Sequence, residues 1–283
     1  MLKIERKLIE FVEKHLFLLC ILLVSLLALY LRKIAVWWNY EEMGSYFDMH
    51  PNYTQTVTYW LVVRLMQYLP MLPLHSVKWL AGLADFGVAG MVAWLLGREA
   101  DSGKRLIFYA VTLFSPVLFL RGIIWAQPDS VAVLLLLVAY ALFPLEKRRW
   151  LALVLITGAI VLCPWLSVIA LFYLWRREEG QKNFWLAVLF LTLGGLAVQF
   201  VSALLVGVSW KECFFTGMRF LTYNPESGVL YADAGEWLLW MIYQYSPVAA
   251  VLTILAAGKN KISCAPAILT QIVAAVLYGA HLF

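Results

Sequence analysis

The chain has 283 residues and a formal net charge of +5; 63% of its residues are hydrophobic and only 14% charged. Soluble domains are about 45–50% apolar and about 25% charged, so a soluble fold could not cover this much apolar side chain, and the mean hydropathy of +0.81 points to a bilayer as solvent. The length leaves no room for a second soluble domain of ordinary size, and the basic residues sit in short loops between apolar runs, as topology signals rather than as a nucleic-acid footprint.

Residues 1–14, with Lys3, Arg6, Lys7 and Lys14, read as an amphipathic helix on the cytoplasmic surface. No small-residue cleavage site follows, so 16–36 is expected to be an uncleaved first span that starts inside. A first external loop then covers 37–76. Within it, 55–70 is short, carries Arg64 centrally and ends at Pro70 and Pro73, which favours a helix lying along the outer interface. Residues 77–97 run inward to Arg98, Lys104 and Arg105, 106–121 run outward, and 130–145 run inward to Glu146-Lys147-Arg148-Arg149.

Residues 150–174 are broken at Cys163-Pro164 and flanked on both sides by basic residues. That predicts a hairpin of two short helices with a buried tip, because lipid does not tolerate an open turn. A single span here would invert everything after it and put Lys259 and Lys261 outside. Residues 184–208 run outward, 209–236 form a polar external loop, 237–257 return to Gly258-Lys259-Asn260-Lys261, and 263–283 run outward. The expectation is an all-α integral membrane protein, one transmembrane domain over 1–283, with about eight or nine membrane helices. Of the four cysteines, Cys20, Cys163 and Cys264 lie in apolar runs and Cys213 in a polar loop; no spacing suggests a disulfide framework or metal site.

This topology gathers 37–76, 121–129 and 209–236 on one external face. Carboxylates (Glu41, Glu42, Asp48), cations (Arg64, Arg121, Arg219) and aromatics (Trp37, Trp38, Trp125, Tyr223) are interleaved there. A carboxylate can take a proton from a hydroxyl, Arg can clamp a phosphate, and rings can stack on a sugar. Aromatic residues at a membrane interface also serve simply as belt anchors. No His, Cys and carboxylate cluster has metal-ligand spacing.

Two stretches stand out. Lys78 and Asp85 lie seven residues apart, on one face of a span, and ionisable groups at membrane depth are functional candidates by default. Lys78 can also snorkel to the interface, and Asp85 needs a partner or a polar cavity. Then 115–140 turns sharply between two spans and carries Arg121, Trp125, Gln127 and Asp129; Pro128 suits the turn, and Asp129 and Ser130 could cap the next helix.

The string FSPVLFLRGIIWAQPDS (114–130) resembles the "sP…WGQxDs" segment of bacterial polytopic glycosyltransferases of the GT-C class, the group related to the second mannosyltransferase of GPI-anchor synthesis. NYTQTVTYWL (52–61) is similar to that family's "NYtPxYxYlL", VKWLAGLADFGVAG (77–90) to its "iKlisilfDfxxA", and 214–237 matches more loosely. The resemblance spans roughly 30–240. It implies a GT-C-like helical bundle with an interfacial helix in the first external loop. It implies transfer of a sugar from a polyprenyl-phosphate donor to a glycan, lipid or protein acceptor at the external face of a bacterial plasma membrane, with no soluble nucleotide-sugar and no metal assigned. The base is an acid of the first external loop: Asp48, then Glu42, with Glu41 also open. Arg121 and Arg219 are the phosphate contacts; Trp125, Gln127, Asp129, Lys78, Asp85, Tyr223 and Asn224 shape the site. Here the family's glycine is Ala126, and the first loop is short. The short loop motivates a second expectation, a non-catalytic GT-C-like subunit or scaffold of an envelope assembly with a membrane-protein partner. A small-molecule or lipid transporter using Asp85 and the Pro164 break is the third; no inverted repeat supports it.

Overall fold

A computed structural model describes residues 3–38, 56–97, 100–177, 180–209 and 234–280, and among these residues every regular element is helical. The first is α1 (Lys3–Ala35), 33 residues without a Pro or Gly to break it. The expected surface helix and first span are therefore one rod, about 50 Å long at about 1.5 Å per residue. Its buried residues facing the bundle are Ala28, Arg32 and Ala35, about one per turn, and Ser25 bonds to the Tyr109 hydroxyl at 2.7 Å.

The short α2 (Val57–Met66) starts at Thr56, whose hydroxyl accepts from the Tyr59 amide at 3.3 Å. It buries Val57, Tyr59, Trp60 and Val63 on one side and leaves Arg64 and Leu65 exposed. Pro73 opens α3 (Pro73–Leu95), and Asp101 caps α4 (Ser102–Leu113) by accepting from the Lys104 amide at 2.6 Å. A second proline start gives α5 (Pro116–Phe119), which passes into a π-helical turn, Leu120–Ile124.

Next come α6 (Asp129–Leu142) and α7 (Arg149–Leu162). The chain reverses through a 3-10 turn, Pro164–Leu166, into α8 (Ser167–Arg177). Rings show where these helices end. Arg149, opening α7, sits over Phe143 at 5.5 Å, and Tyr173, near the end of α8, packs on the same Phe143 at 5.4 Å. Cys163 lies instead beside Asp129, at the other end of α6. So α7 climbs along α6 and α8 comes back: the predicted hairpin is present, with its tip among buried Cys163, Trp165 and Leu166.

The long α9 (Gln181–Val206) stops at Gly207, where φ is 80°, a left-handed terminus suited to glycine. Finally α10 (Ala234–Gly258) tolerates Pro247 in its interior, and α11 (Cys264–Ala280) packs on it. Five of the described helical stretches are long and apolar enough to cross a membrane: Phe11–Ala35, Pro73–Leu95, Ser102–Ile124, Gln181–Val206 and Trp237–Gly258.

The main core lies between α3, α6, α7 and α10, with Val88, Val92, Ala132, Ala159 and Val251 packed together. In lipid, apolar contact supplies little net drive, so close approach and buried polar bonds set the arrangement. Gly82 and Gly122 allow that approach where α3 crosses the π-helical turn. A Cβ on Gly82 would stand 2.7 Å from the Ile123 side chain, and one on Gly122 would stand 3.2 Å from Ala81.

Candidate functional site

Three polar nodes lie at the end of the bundle where α1 finishes and α6 starts. The outermost is Lys78. Its side chain is fully buried, and its ammonium donates to the carbonyls of Trp38 at 2.5 Å and Val36 at 3.3 Å. It closes the C-terminal end of α1, where free carbonyls and the helix dipole favour a cation. Beside it the His75 ring meets Trp37 edge-on at 4.6 Å.

The second node lies deeper. Asp85 is fully buried and pairs with Arg32 of α1, Nη2 to Oδ2 at 2.7 Å and Nε to the same oxygen at 3.2 Å. Ser130 donates to the other carboxylate oxygen at 2.5 Å. The guanidinium also donates to the Leu113 carbonyl at 2.8 Å and lies between the rings of Phe86 and Phe119, at 5.2 and 5.5 Å. Both charges are thus hydrogen-bonded as well as paired, which burial demands. The partner that Asp85 needed is Arg32, not Lys78. Reading α1 as a uniform apolar span hid Arg32, although the argument that singled out Asp85, an ionisable group at membrane depth, applies equally to it.

The third node is Arg121. Its Nε donates to Asp129 Oδ2 at 2.5 Å, its Nη2 to Gln244 Oε1 of α10 at 3.0 Å, and its guanidinium lies 5.0 Å from the Tyr243 ring centre. Arg121 is 2% and Asp129 3% exposed. Asp129 therefore faces Arg121 instead of capping α6, which has no side-chain cap bond at its start. Cys163, at the hairpin tip, places its Sγ 3.8 Å from Asp129 Oδ1.

Local backbone geometry makes this node. In the π-helical turn the Trp125 amide reaches back to the Leu120 carbonyl at 3.0 Å, and the Gln127 amide closes on the Arg121 carbonyl at 2.8 Å. Ala126 between them has φ 52°, a left-handed conformation that costs an L-residue about 1–2 kcal/mol. Its carbonyl accepts the Tyr59 hydroxyl of α2. Such turns recur at functional sites.

The described parts of the three motif-like stretches thus meet in space. Tyr59 (52–61) touches Ala126, and Asp85 (77–90) accepts from Ser130, both within or at the end of 114–130. The Arg32–Asp85–Ser130 and Asp129–Arg121–Gln244 groups are joined through consecutive residues of α6. Trp125 lies over Tyr243, ring centres 6.4 Å apart. Arg64 donates to the Leu205 and Val206 carbonyls at 3.2 and 2.9 Å, securing the end of α9. Glu41, Glu42, Asp48, Arg219, Tyr223 and Asn224 lie outside the described residues. Among the described residues, no three His, Cys, Asp or Glu side chains come together as a metal site.

Gln244 and Tyr243 escaped the sequence reading, and Ser130 and Cys163 entered it only as a possible cap and as part of a break. Gln244 alone gave a signal, a lone amide within the apolar run WLLWMIYQYSP. No family model, no curated protein and no solved structure matches the chain.

Proposed function

We propose that the chain is a membrane glycosyltransferase of GT-C type, moving a sugar from a polyprenyl-phosphate donor to an acceptor at the membrane face where α1 ends. The observation that supports this reading most is the convergence of 56–61, 77–90 and 114–130, parts of the three motif-like stretches, on one buried polar framework. In this reading Arg121 and Asp129 position and Asp48 reacts. Arg121 is held by Asp129 and Gln244, so it fixes the floor beside α10 and lends its field to a phosphate above it. Asp48, with Glu42 as its alternate and Glu41 third, takes the acceptor proton. Arg219, Tyr223 and Asn224 complete the donor contacts.

The test is transfer from a carrier-linked sugar in proteoliposomes. Asp48→Asn or Glu42→Gln lowers turnover by about 10²–10⁴-fold, the usual worth of a general base. Full activity in both variants ends the assignment.

The burial and mutual satisfaction of Arg121 and Asp129 favour one other reading, a non-catalytic scaffold in an envelope assembly. It requires a co-purifying membrane partner and a phenotype independent of the loop acids.

A further inference from the structure

At the opposite end of the bundle, α8 and α10 form the walls of an open cavity of about 750 Å³, with α6 as its floor. The walls are apolar for most of their depth: Ile169 and Phe172 from α8, Val248 and Leu252 from α10, with Val133 and Leu137 beneath. Phe172 and Leu252 are 60% and 45% exposed, so the groove opens sideways, toward where lipid would lie. Its upper rim carries Arg176 and Arg177 at the end of α8 and Lys259 and Lys261 at and beyond the end of α10. Arg176, Arg177 and Lys261 are exposed, and Lys259 is half-buried.

Among the described lining residues there are four cations and no carboxylate. Four like charges around one mouth favour an anion among them; Glu178 and Glu179, next after Arg177, lie outside the described residues. Arg177 is held over the Tyr140 and Tyr173 rings at 5.6 and 5.8 Å, which fixes one of the cations in place at the rim. An apolar trough between helices that ends in cations matches one kind of occupant, an amphiphile with an anionic head. The cavity size falls in the usual ligand range of about 300–1,000 Å³.

We propose that this groove binds an anionic phospholipid, its phosphate against Arg176, Arg177, Lys259 and Lys261 and an acyl chain along α6. The cationic rim lies about 20 Å from the Asp129 end of α6, the length of that helix at about 1.5 Å per residue, and the proposal does not depend on the glycosyltransferase reading.

Native mass spectrometry of the full chain, titrated in detergent with phosphatidylglycerol or phosphatidylcholine, tests it. The wild-type chain takes up phosphatidylglycerol at concentrations at least about tenfold lower than phosphatidylcholine. The combined Arg176→Gln, Arg177→Gln, Lys259→Gln, Lys261→Gln variant loses that preference. A second variant, Leu252→Trp with Ala256→Phe, keeps the cations, fills the trough, and loses the preference too. Equal uptake of the two lipids by wild type overturns the proposal. So does a preference that survives in the Gln variant. A preference that survives filling shows a charged rim without a groove site, and a dimer that occupies the face regardless of lipid shows a second copy as the occupant; either result overturns the proposal.

Discussion

Arg32 and Asp85 lose their value singly and not jointly. Arg32→Ala or Asp85→Ala leaves one buried charge without its counter-ion, a cost of about 3–5 kcal/mol. Arg32→Met with Asp85→Leu removes both and restores most of that loss. Thermal unfolding in detergent reads the cycle, and equal Tm losses in the single and double variants would contradict the pairing. Ala126 carries a different strain. Ala126→Gly relieves the φ of 52° but gives up a fully buried methyl, and the two effects nearly cancel. Ala126→Val adds a β-branch in the left-handed region and lowers Tm clearly. The sequence exposed Asp85 because it stands alone in a run of small and apolar residues. It concealed Arg32, four residues before Val36, because a cation near a span end is ordinarily a snorkelling one. It pointed to capping for Asp129 because Asp at a helix start usually caps; only the neighbouring turn shows that Arg121 comes first.

The helices follow their punctuation closely. Pro73, Pro116 and Pro164 open segments, Gly207 ends one, and Asp101 and Thr56 cap two. Of these the sequence reading used Pro73 and Pro164, and it favoured a reversal at Pro164 because basic residues flank 150–174 on both sides; it ran 106–121 as one span and missed the break before Pro116. The continuity of α1 was not legible, since a change from amphipathic to apolar composition looks like a boundary even where the backbone has no reason to break. Arg64 shows a limit of another kind. A cation centred in a short helix reads as an external charge, yet it reaches across to the last carbonyls of α9. Arg64→Ala costs about 0.3–1 kcal/mol and frays that terminus. Amide exchange accelerates through the final turn of α9 before Gly207, while the middle of the helix keeps its protection.

Charge divides the whole bundle into two unlike ends. At one, Lys104 reaches Asn260 at 2.8 Å, Arg105 lies over Phe17 at 5.5 Å, and Arg149 and Arg177 lie over rings of the α6–α8 corner. At the other, Arg32, Arg64, Lys78 and Arg121 are all engaged within the fold. The first end also carries exposed cations such as Arg176 and Lys261; at the second, the buried cations Arg32, Lys78 and Arg121 hold elements together. On a background lacking native cysteines, Lys147→Cys, Lys182→Cys and Lys261→Cys therefore react with an impermeant maleimide from one side of the membrane, and Trp38→Cys and Val208→Cys from the other. Labelling of Lys182→Cys with the second group would mean that 150–174 crosses once. Composition and the spacing of basic residues were sufficient to read where the cations cluster along the chain. The meeting of α2, α3 and the π-helical turn was beyond them, because it rests on contacts between residues distant in the chain, such as Tyr59 with Ala126 and Asp85 with Ser130.

The Arg32–Asp85 pair also has a history within each molecule. The two residues are 53 positions apart, so at synthesis rates of about 5–20 residues per second Arg32 waits about 3–10 s for its counter-ion. During that interval α1 is alone in the bilayer, and its guanidinium has only headgroups to reach toward. When α3 arrives, Asp85 draws that charge inward and Lys78 closes over the carbonyls at the end of α1. The first helix thus gains its first polar anchors from α3, and its seat is completed when Tyr109 and Leu113 of α4 reach Ser25 and Arg32.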